Sequence, residues 1–264
     1  MLIRQNLKES ANFALARYPR LYSRILQLRK NPNLEKILFL NLLNNTDTVV
    51  EVGANRGYYT LLFSHIVGAK GQVHAFEPVP PTFNRLSQVF AQNQIFKNTN
   101  LNNLAVGDTN GTITLYMPDD DDGQSSMAVH NQGSWKEQKN IVPYECEIVT
   151  LDRYAESHLT QKIDFIKCDI EGAELLFLKG AAKTISKDCP IVYLEVCHDW
   201  TKDFGYSPPE IIQFLRPLGY SCFYLLDRQL RLLENPELEL SATHLLESAN
   251  LLCIPNRANR KITI

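Results

Sequence analysis

The sequence contains no apolar run that approaches the roughly 18 residues needed to cross a membrane. Its N-terminal segment also lacks the apolar centre of a secretory signal peptide. None of the six cysteines belongs to a CxxC pair, and several lie inside apolar runs, which favours buried thiols over disulfides or a zinc site. We therefore expect a soluble, cytoplasmic protein.

The chain as a whole also lacks a large excess of charge of either sign. The formal net charge is -2 over 264 residues, which gives no reason to expect a nucleic-acid partner. The first 36 residues nevertheless hold eight basic and two acidic side chains. Together with apolar residues at helical spacing, this predicts amphipathic helices that form a lid or a packing layer in preference to a peripheral membrane contact. A homodimer interface is a further alternative.

From Thr48 onward, short apolar runs alternate with helix patterns, which is typical of a parallel sheet covered by helices on both faces. We therefore predict an α/β fold with a doubly wound sheet of seven strands over residues 46–264. A helical extension is expected over residues 1–45. The predicted strands cover residues 48–52, 72–76, 103–106, 163–168, 191–196, 221–226 and 249–254.

Two segments interrupt this alternation. Residues 111–117, GTITLYM, begin with the dipeptide Asn110-Gly111, which favours a tight turn, and they predict an added hairpin arm. Residues 118–144 have little periodicity, which predicts a mobile loop or a lid over a site. Their four successive aspartates lack the spacing of a calcium loop, so we interpret them as solvated charge.

The stretch EVGANRGYYT, residues 51–60, follows the first strand and opens a helix, where open α/β sheets bind ligands. Gly53 and Gly57 depart from the GxGxxG spacing of a dinucleotide site, and Glu51 would repel a pyrophosphate. A carboxylate suits instead the ammonium and sulfonium groups of S-adenosylmethionine. Glu77 ends the second strand and could accept hydrogen bonds from both ribose hydroxyls. The two acids favour S-adenosylmethionine over NAD, with ordinary turn and helix-start roles as the alternatives.

Five motifs, in this order and at these distances, resemble the FkbM-type methyltransferases: EVGANRGYYT, VHAFEPVPPTFNRL, LAVGD, IDFIKCDIEGAELLFLKGA and IVYLEV. The resemblance implies the Rossmann-like fold of class I methyltransferases, a mostly parallel sheet whose last strand runs antiparallel beside the sixth. It also implies a cofactor site formed by Glu51, Gly53, Ala54, Asn55, Gly57, Tyr58, Glu77, Ala105, Asp108 and Asp169. For Asp108, an aspartate that simply opens a turn remains an alternative.

An alcohol acceptor would need a base, and the candidates follow the fourth and fifth strands: Asp169, Glu171, Glu195 and His198. Histidine is the residue type suited to proton transfer near neutral pH, which favours His198, with an ordinary loop histidine as the alternative. Asp169 could also hold the cofactor amino group or cap a helix. Lys167 could pair with one of these acids. The four could bind Mg²⁺ if they converged, but we predict no metal. Ser125 and Ser126 could close over the cofactor or the acceptor.

The sequence therefore predicts an S-adenosylmethionine-dependent O-methyltransferase. The resemblance implies that its acceptor is a hydroxyl of a small molecule, a natural product or a glycan. Methylation of a carboxylate or an amine is the alternative among enzymes. A non-catalytic cofactor-binding protein is the alternative from another class.

Overall fold

A computed structural model of the chain describes residues 15, 16, 18–92, 97–118, 124–130, 135, 140–241, 249–258, 260 and 262. The helices in these segments are α1 (Pro19–Gln27), α2 (Leu34–Leu42), α3 (Tyr58–Val67), α4 (Pro80–Gln92), α5 (Leu151–His158), α6 (Glu174–Gly180), α7 (Ala182–Asp188), α8 (His198–Thr201), α9 (Pro208–Leu215) and α10 (Pro236–Ser241). The strands are β1 (Thr48–Val52), β2 (Gln72–Phe76), β3 (Thr99–Asn102), β4 (Ala105–Val106), β5 (Gly111–Pro118), β6 (Ile141–Val149), β7 (Phe165–Cys168), β8 (Ile191–Val196), β9 (Tyr220–Leu226), β10 (Leu230–Leu232) and β11 (Ala249–Pro255). Within these segments, every helix is too short or too polar to cross a bilayer.

The main sheet has eight strands in the order β10-β9-β11-β8-β7-β1-β2-β3. Strands β1, β2, β3, β7 and β8 run parallel, whereas β11 runs antiparallel between β8 and β9. This order confirms the predicted α/β fold and the antiparallel last strand beside the sixth. The eighth strand, β10, is additional to the seven predicted and pairs antiparallel with β9 at the sheet edge.

The third strand of the sheet lies earlier in the chain than the sequence predicts. Residues 103–106 were expected there, but Thr99–Asn102 pairs with β2, and the Asn102 amide donates to the carbonyl oxygen of Ala75 at 3.1 Å. This strand is at the sheet edge and alternates apolar Leu101 with polar neighbours, so it does not form an apolar run. The sequence of this strand therefore lacks the apolar run from which a strand is predicted.

The second sheet has the order β4-β6-β5 and forms the predicted arm. Strand β5 pairs antiparallel with β6, and β4 pairs parallel with β6. The expected hairpin across Asn110-Gly111 was therefore wrong, because β6 lies between the two strands that this dipeptide joins. Residues 141–144, which were predicted to belong to the loop, are instead the first residues of β6. Residues 119–123, 131–134 and 136–139 of that loop lie outside the described segments.

The N-terminal helices pack on one face of the main sheet. The ring of Phe39, on α2, lies 4.9 Å from the ring of Tyr193 and 5.5 Å from that of Phe165. Side chains alternate along a strand, so residues two positions further on project from the same face. In β7 and β8 these are Lys167 and Glu195, at the carboxyl edge. The helices thus cover an apolar layer that ends in charged side chains.

Candidate functional site

The turn after β1 brings two strand ends into direct contact. Gly53 has a φ of +83°, a left-handed conformation that glycine adopts without strain. A Cβ atom at this position would lie 2.0 Å from the carbonyl oxygen of Asp169, so only glycine fits between the ends of β1 and β7. The backbone N–H groups of Gly53 and Ala54 both donate to the carbonyl oxygen of Phe76, at 3.1 and 2.9 Å. The turn is therefore fixed to both neighbouring strands.

A cavity opens beside this turn, at the carboxyl ends of the central strands. Its polar lining includes three carboxyl groups, and part of its apolar lining comes from the second sheet. The lining residues are Val52, Gly53, Asn55, Glu77, Pro78, Thr82, Leu104, Ala105, Val106, Ile113, Leu115, Ser125, Ser126, Met127, Ile148, Asp169, Ile170, Glu171 and Ala173. This mixture suits a ligand that has both polar and apolar parts.

Glu77 is buried in the wall of the cavity and holds two backbone segments. Its Oε2 atom accepts a hydrogen bond from the N–H of Asn55 at 2.9 Å, and its Oε1 atom accepts one from the N–H of Val79 at 3.0 Å. Burial raises the pKa of Glu77 to about 7, although the two amide bonds lower it. Each carboxylate oxygen has a second acceptor site, so Glu77 retains capacity for ligand hydroxyls.

A buried lysine lies among carboxylates at the ends of β1 and β7. The Nζ atom of Lys167 donates to Oδ2 of Asp169 at 2.9 Å, and only 3% of the lysine side chain is exposed. Burial would lower the pKa of Lys167, but Asp169, Glu51 and Glu35 together raise it above its usual range. The lysine therefore stays protonated and fixes the position of Asp169.

Glu51 lies on the neighbouring strand, opposite Lys167 in the β1–β7 register. It is buried, and its Oε2 atom accepts a hydrogen bond from Oγ1 of Thr60 at 2.6 Å. Burial raises the pKa of Glu51 to about 7, although Lys167 and Thr60 lower it. Glu51 is not among the described residues that line the cavity. Its contacts connect the end of β1 to α3.

Asp169 and Glu195 form a carboxyl pair at the ends of β7 and β8. Burial raises the pKa of Glu195, and the charge of Asp169 raises it further. Burial would also raise the pKa of Asp169, but Lys167 and a hydrogen bond with Glu195 lower it. Of the two carboxyl groups, Asp169 is therefore the more acidic. The Asp169 side chain is 40% exposed and lines the cavity.

The segment after β7 presents Glu171 to the cavity in an unusual backbone conformation. Glu171 has a φ of +55°, which is rare outside glycine, and Gly172 has a φ of +98°. Oε1 of Glu174 accepts hydrogen bonds from the N–H groups of Ile170 and Gly172, at 3.1 and 3.3 Å. The hydroxyl of Tyr206 donates to the carbonyl oxygen of Gly172 at 2.8 Å. These contacts maintain the strained turn that carries Glu171.

Residues 124–130 run beside the cavity and are clamped to that turn. The carbonyl oxygen of Glu171 lies 3.2 Å from the hydroxyl of Ser126 and 2.9 Å from Nε2 of His130. His130 is buried, and its Nδ1 atom lies 2.7 Å from Oδ2 of Asp203. The backbone of Ser126 also pairs with that of Tyr116 on β5. The segment is therefore tied both to the arm and to the turn after β7.

A family model described as the methyltransferase FkbM domain matches residues 51–222, more than half of the chain. The chain belongs to the FkbM methyltransferase domain family. The matched region begins at Glu51 and ends within β9, so it contains the glycine turn, both carboxyl-rich strand ends and the clamped segment. No protein of curated function matches the sequence.

Solved methyltransferases are similar to this FkbM-family chain. The FkbM methyltransferase of Methylobacillus flagellatus is 17% identical with a TM-score of 0.47, and the match covers 80% of this chain. That match covers only 44% of the Methylobacillus chain, so the present chain spans less than half of its length. An S-adenosylmethionine-dependent methyltransferase of Aquifex aeolicus is 16% identical with a TM-score of 0.42, over 84% of this chain and 88% of the other. Fibrillarin of Aeropyrum pernix, solved with natively bound S-adenosylmethionine, is 12% identical with a TM-score of 0.41, over 80% and 67%.

The cavity of the FkbM-family chain contains about half of the site residues that the sequence predicts. Those in its lining are Gly53, Asn55, Glu77, Ala105, Asp169 and Glu171, together with Ser125 and Ser126. The predicted site residues outside the lining are Glu51, Ala54, Gly57, Tyr58, Asp108, Glu195 and His198. Glu195 lies behind the lining and contacts Asp169.

Three of the predicted site residues outside the lining lie in other parts of the structure. Tyr58 faces α2, where Nζ of Lys36 donates to its hydroxyl at 3.2 Å. Asp108 is exposed in the bend after β4. His198 begins α8, and its carbonyl oxygen accepts a hydrogen bond from Oγ1 of Thr201 at 3.2 Å. In the described part of the chain, no three His, Cys, Asp or Glu side chains are grouped to hold a metal ion.

The sequence interpretation assigned no role to Glu174, Tyr206 or His130. Glu174 lies within the KCDIEGAE motif, where an acid two residues after a glycine and at the start of a helix is a usable signal for a carboxylate that binds the preceding amides. Tyr206 and His130 give no such signal, because each is a single residue in a segment without periodicity. Their partners, Gly172 and Asp203, are known only from the folded chain.

Proposed function

We propose that the chain transfers a methyl group from S-adenosylmethionine to a hydroxyl of a small molecule, a natural product or a glycan. Membership of the FkbM family supports methyl transfer. When bound, S-adenosylmethionine supplies a methyl group activated by a positively charged sulfur. The observation that carries the proposal is a single cavity whose wall contains both Glu77 and the ionised Asp169.

The residues of the cavity fit this cofactor. Glu77 offers acceptor sites for two ribose hydroxyls. Asp169 offers a carboxylate, held ionised by Lys167, for the amino group of the methionine part. The apolar lining at Leu104, Val106 and Ile148 suits the adenine ring. The glycine turn holds Asn55 against Glu77, so the ribose end is organised before the cofactor binds.

Proton removal from the acceptor is assigned to Glu171. An alcohol must lose its proton as its oxygen attacks, and a base whose pKa lies near the working pH does this best. The pKa of Asp169 is lowered by Lys167, so Asp169 is a weak base and suits a fixed hydrogen-bond role. Glu171 is the remaining carboxyl group in this part of the lining. The clamp on its carbonyl oxygen keeps its backbone in place.

The proposal is tested by methyl transfer with isotope-labelled S-adenosylmethionine on a panel of hydroxylated natural products and oligosaccharides. Glu171→Gln is expected to lower kcat by roughly 10²–10⁴-fold on an alcohol acceptor and to leave the affinity for S-adenosylhomocysteine near that of the wild type. His198→Ala, whose side chain is outside the lining, serves as the control and should retain activity. An equal rate for Glu171→Gln and wild type would favour a carboxylate acceptor, which needs no base. Cofactor binding without transfer to any acceptor would favour a binding protein.

The affinity for S-adenosylhomocysteine is expected to rise with pH up to about 7. Glu77 accepts two hydroxyl donors only when ionised, and its pKa in the chain without cofactor is about 7. Binding below that pH must release a proton, so affinity should fall roughly tenfold for each pH unit. Calorimetry across this range measures the slope.

Two variants test whether the titration of Glu77 causes this pH dependence. Glu77→Gln cannot titrate, so it should bind more weakly than the wild type and show a much smaller slope. Glu51 also has a pKa of about 7 but lies outside the lining, which makes Glu51→Gln the matched control. An unchanged slope in Glu77→Gln would assign the pH dependence to another group.

A further inference from the structure

Helix α1 exposes an apolar stripe to solvent. Tyr18, Leu21, Ile25 and Leu28 are 66%, 53%, 37% and 87% exposed. At about 100° per residue, these positions fall within about 80° of one another around the helix. Such a contiguous set of large apolar side chains differs from the single exposed apolar residues that ordinary protein surfaces carry.

A neighbouring face of α1, about 100° around the helix from the stripe, fixes the orientation of the stripe. Tyr22 and Leu26 are 1% and 2% exposed and belong to the core shared with α2 and the main sheet. Nζ of Lys36 lies 4.8 Å from the centre of the Tyr22 ring. Because the helix is anchored by this face, it cannot rotate to bury the stripe without leaving its own core.

The surroundings of the stripe are strongly basic. Arg20, Arg24, Arg29 and Lys30 are exposed, and residues 18–34 contain no acidic side chain. None of these four cations has an ion-pair partner in the segments that the structure describes. The helix therefore combines an outward apolar face with uncompensated positive charge along its flank and at its C-terminal end.

We propose that the apolar stripe docks α1 on an anionic membrane surface. A helix that lies in the interface inserts its apolar side chains among the lipid chains, while basic residues attract anionic headgroups. A symmetric contact between two copies of this chain would bring the same arginines together, which disfavours self-association through this face. A nucleic acid would use the cations but not the leucines. A lipid surface that carries anionic headgroups uses both features together.

The test is sedimentation of the full-length protein with vesicles of phosphatidylcholine alone and of phosphatidylcholine mixed with phosphatidylglycerol. We expect binding to the anionic vesicles only, and less binding at high salt. Leu21→Glu combined with Ile25→Glu should abolish binding. Arg20→Gln combined with Arg24→Gln should weaken it roughly 30-fold, since each basic residue near the surface contributes on the order of 1 kcal/mol.

Matched controls use exposed residues elsewhere on the chain. Leu238 is 70% exposed on α10, so Leu238→Glu should bind as the wild type does, as should Arg228→Gln. Circular dichroism and Tm check that the stripe variants remain folded. Failure of the wild type to bind anionic vesicles would overturn the proposal, as would full binding by the Leu21→Glu, Ile25→Glu variant. A concentration-dependent dimer that this variant abolishes would assign the stripe to self-association instead.

Discussion

Gly53→Ala is expected to weaken cofactor binding strongly and to lower stability. Its Cβ atom would lie 2.0 Å from the carbonyl oxygen and 3.1 Å from the carbonyl carbon of Asp169. Backbone atoms cannot rotate away as a side chain does, so the ends of β1 and β7 must separate. That movement would displace Asn55 from Glu77 and Asp169 from the cavity wall. We expect S-adenosylhomocysteine to bind at least ~100-fold more weakly by calorimetry, a loss of roughly 3 kcal/mol.

Substitution of a second glycine separates the effect of the steric clash from the effect of the left-handed backbone conformation. Gly205 has a φ of +72°, and an added Cβ atom would have no heavy atom within 4 Å. Gly205→Ala therefore carries only the conformational cost of about 1–2 kcal/mol, and it should bind cofactor normally. If both variants bound S-adenosylhomocysteine equally well, the contact between Gly53 and Asp169 would have no role in shaping the site.

Lys167→Met should destabilise the chain by about 3 kcal/mol at neutral pH. The substitution removes the cation that offsets Asp169, Glu51 and Glu35, and an uncompensated buried charge costs several kcal/mol. The 40% exposure of Asp169 gives it partial solvation, which keeps the expected loss near the lower end of that range. Urea denaturation measures the difference. Cofactor binding should also weaken, because Asp169 loses its fixed position.

The pH dependence of this loss follows from the pKa of Asp169. Lys167 lowers that pKa in the folded chain, so the stabilisation is present above the unfolded pKa of about 4 and disappears as pH falls through the folded value. The difference between wild type and Lys167→Met should therefore be large at neutral pH and shrink below about pH 4. Lys187→Met is the control: its side chain is 84% exposed and lies 4.0 Å from Asp188, so its effect should stay within ~0.5 kcal/mol. A similar loss in both variants would contradict the buried network.

The main sheet could be predicted because six of its strands are apolar runs. Strands β7 and β8 are buried on both faces, so nearly every residue in them is apolar and the pattern is visible without any partner. Strand β3 lies at the edge and carries Asn100 and Asn102, whose polarity hides it. Strand β6 contains no long apolar run, because the exposed residues Glu145 and Glu147 alternate with buried ones.

A site residue could be predicted where its position at the end of a strand places it at the binding edge of the sheet. Gly53 and Glu77 end neighbouring strands, and the ends of parallel strands meet at one sheet edge. Pairings between distant segments carry no such signal. His130 lies 73 positions from Asp203 in the chain, and only the fold brings their side chains together. The sequence also does not show where the side chain of Glu51 points. In the fold, this side chain contacts Thr60 rather than the cavity.

The shared carbonyl of Glu171 couples the position of residues 124–130 to that of the turn after β7. The hydroxyl of Ser126 and the ring of His130 meet on this one oxygen, while Asp203 holds the other side of the ring. Lifting the segment breaks all three contacts at once. Any movement of residues 124–130 therefore also releases the backbone that carries Glu171, so this segment and the proposed base change position together.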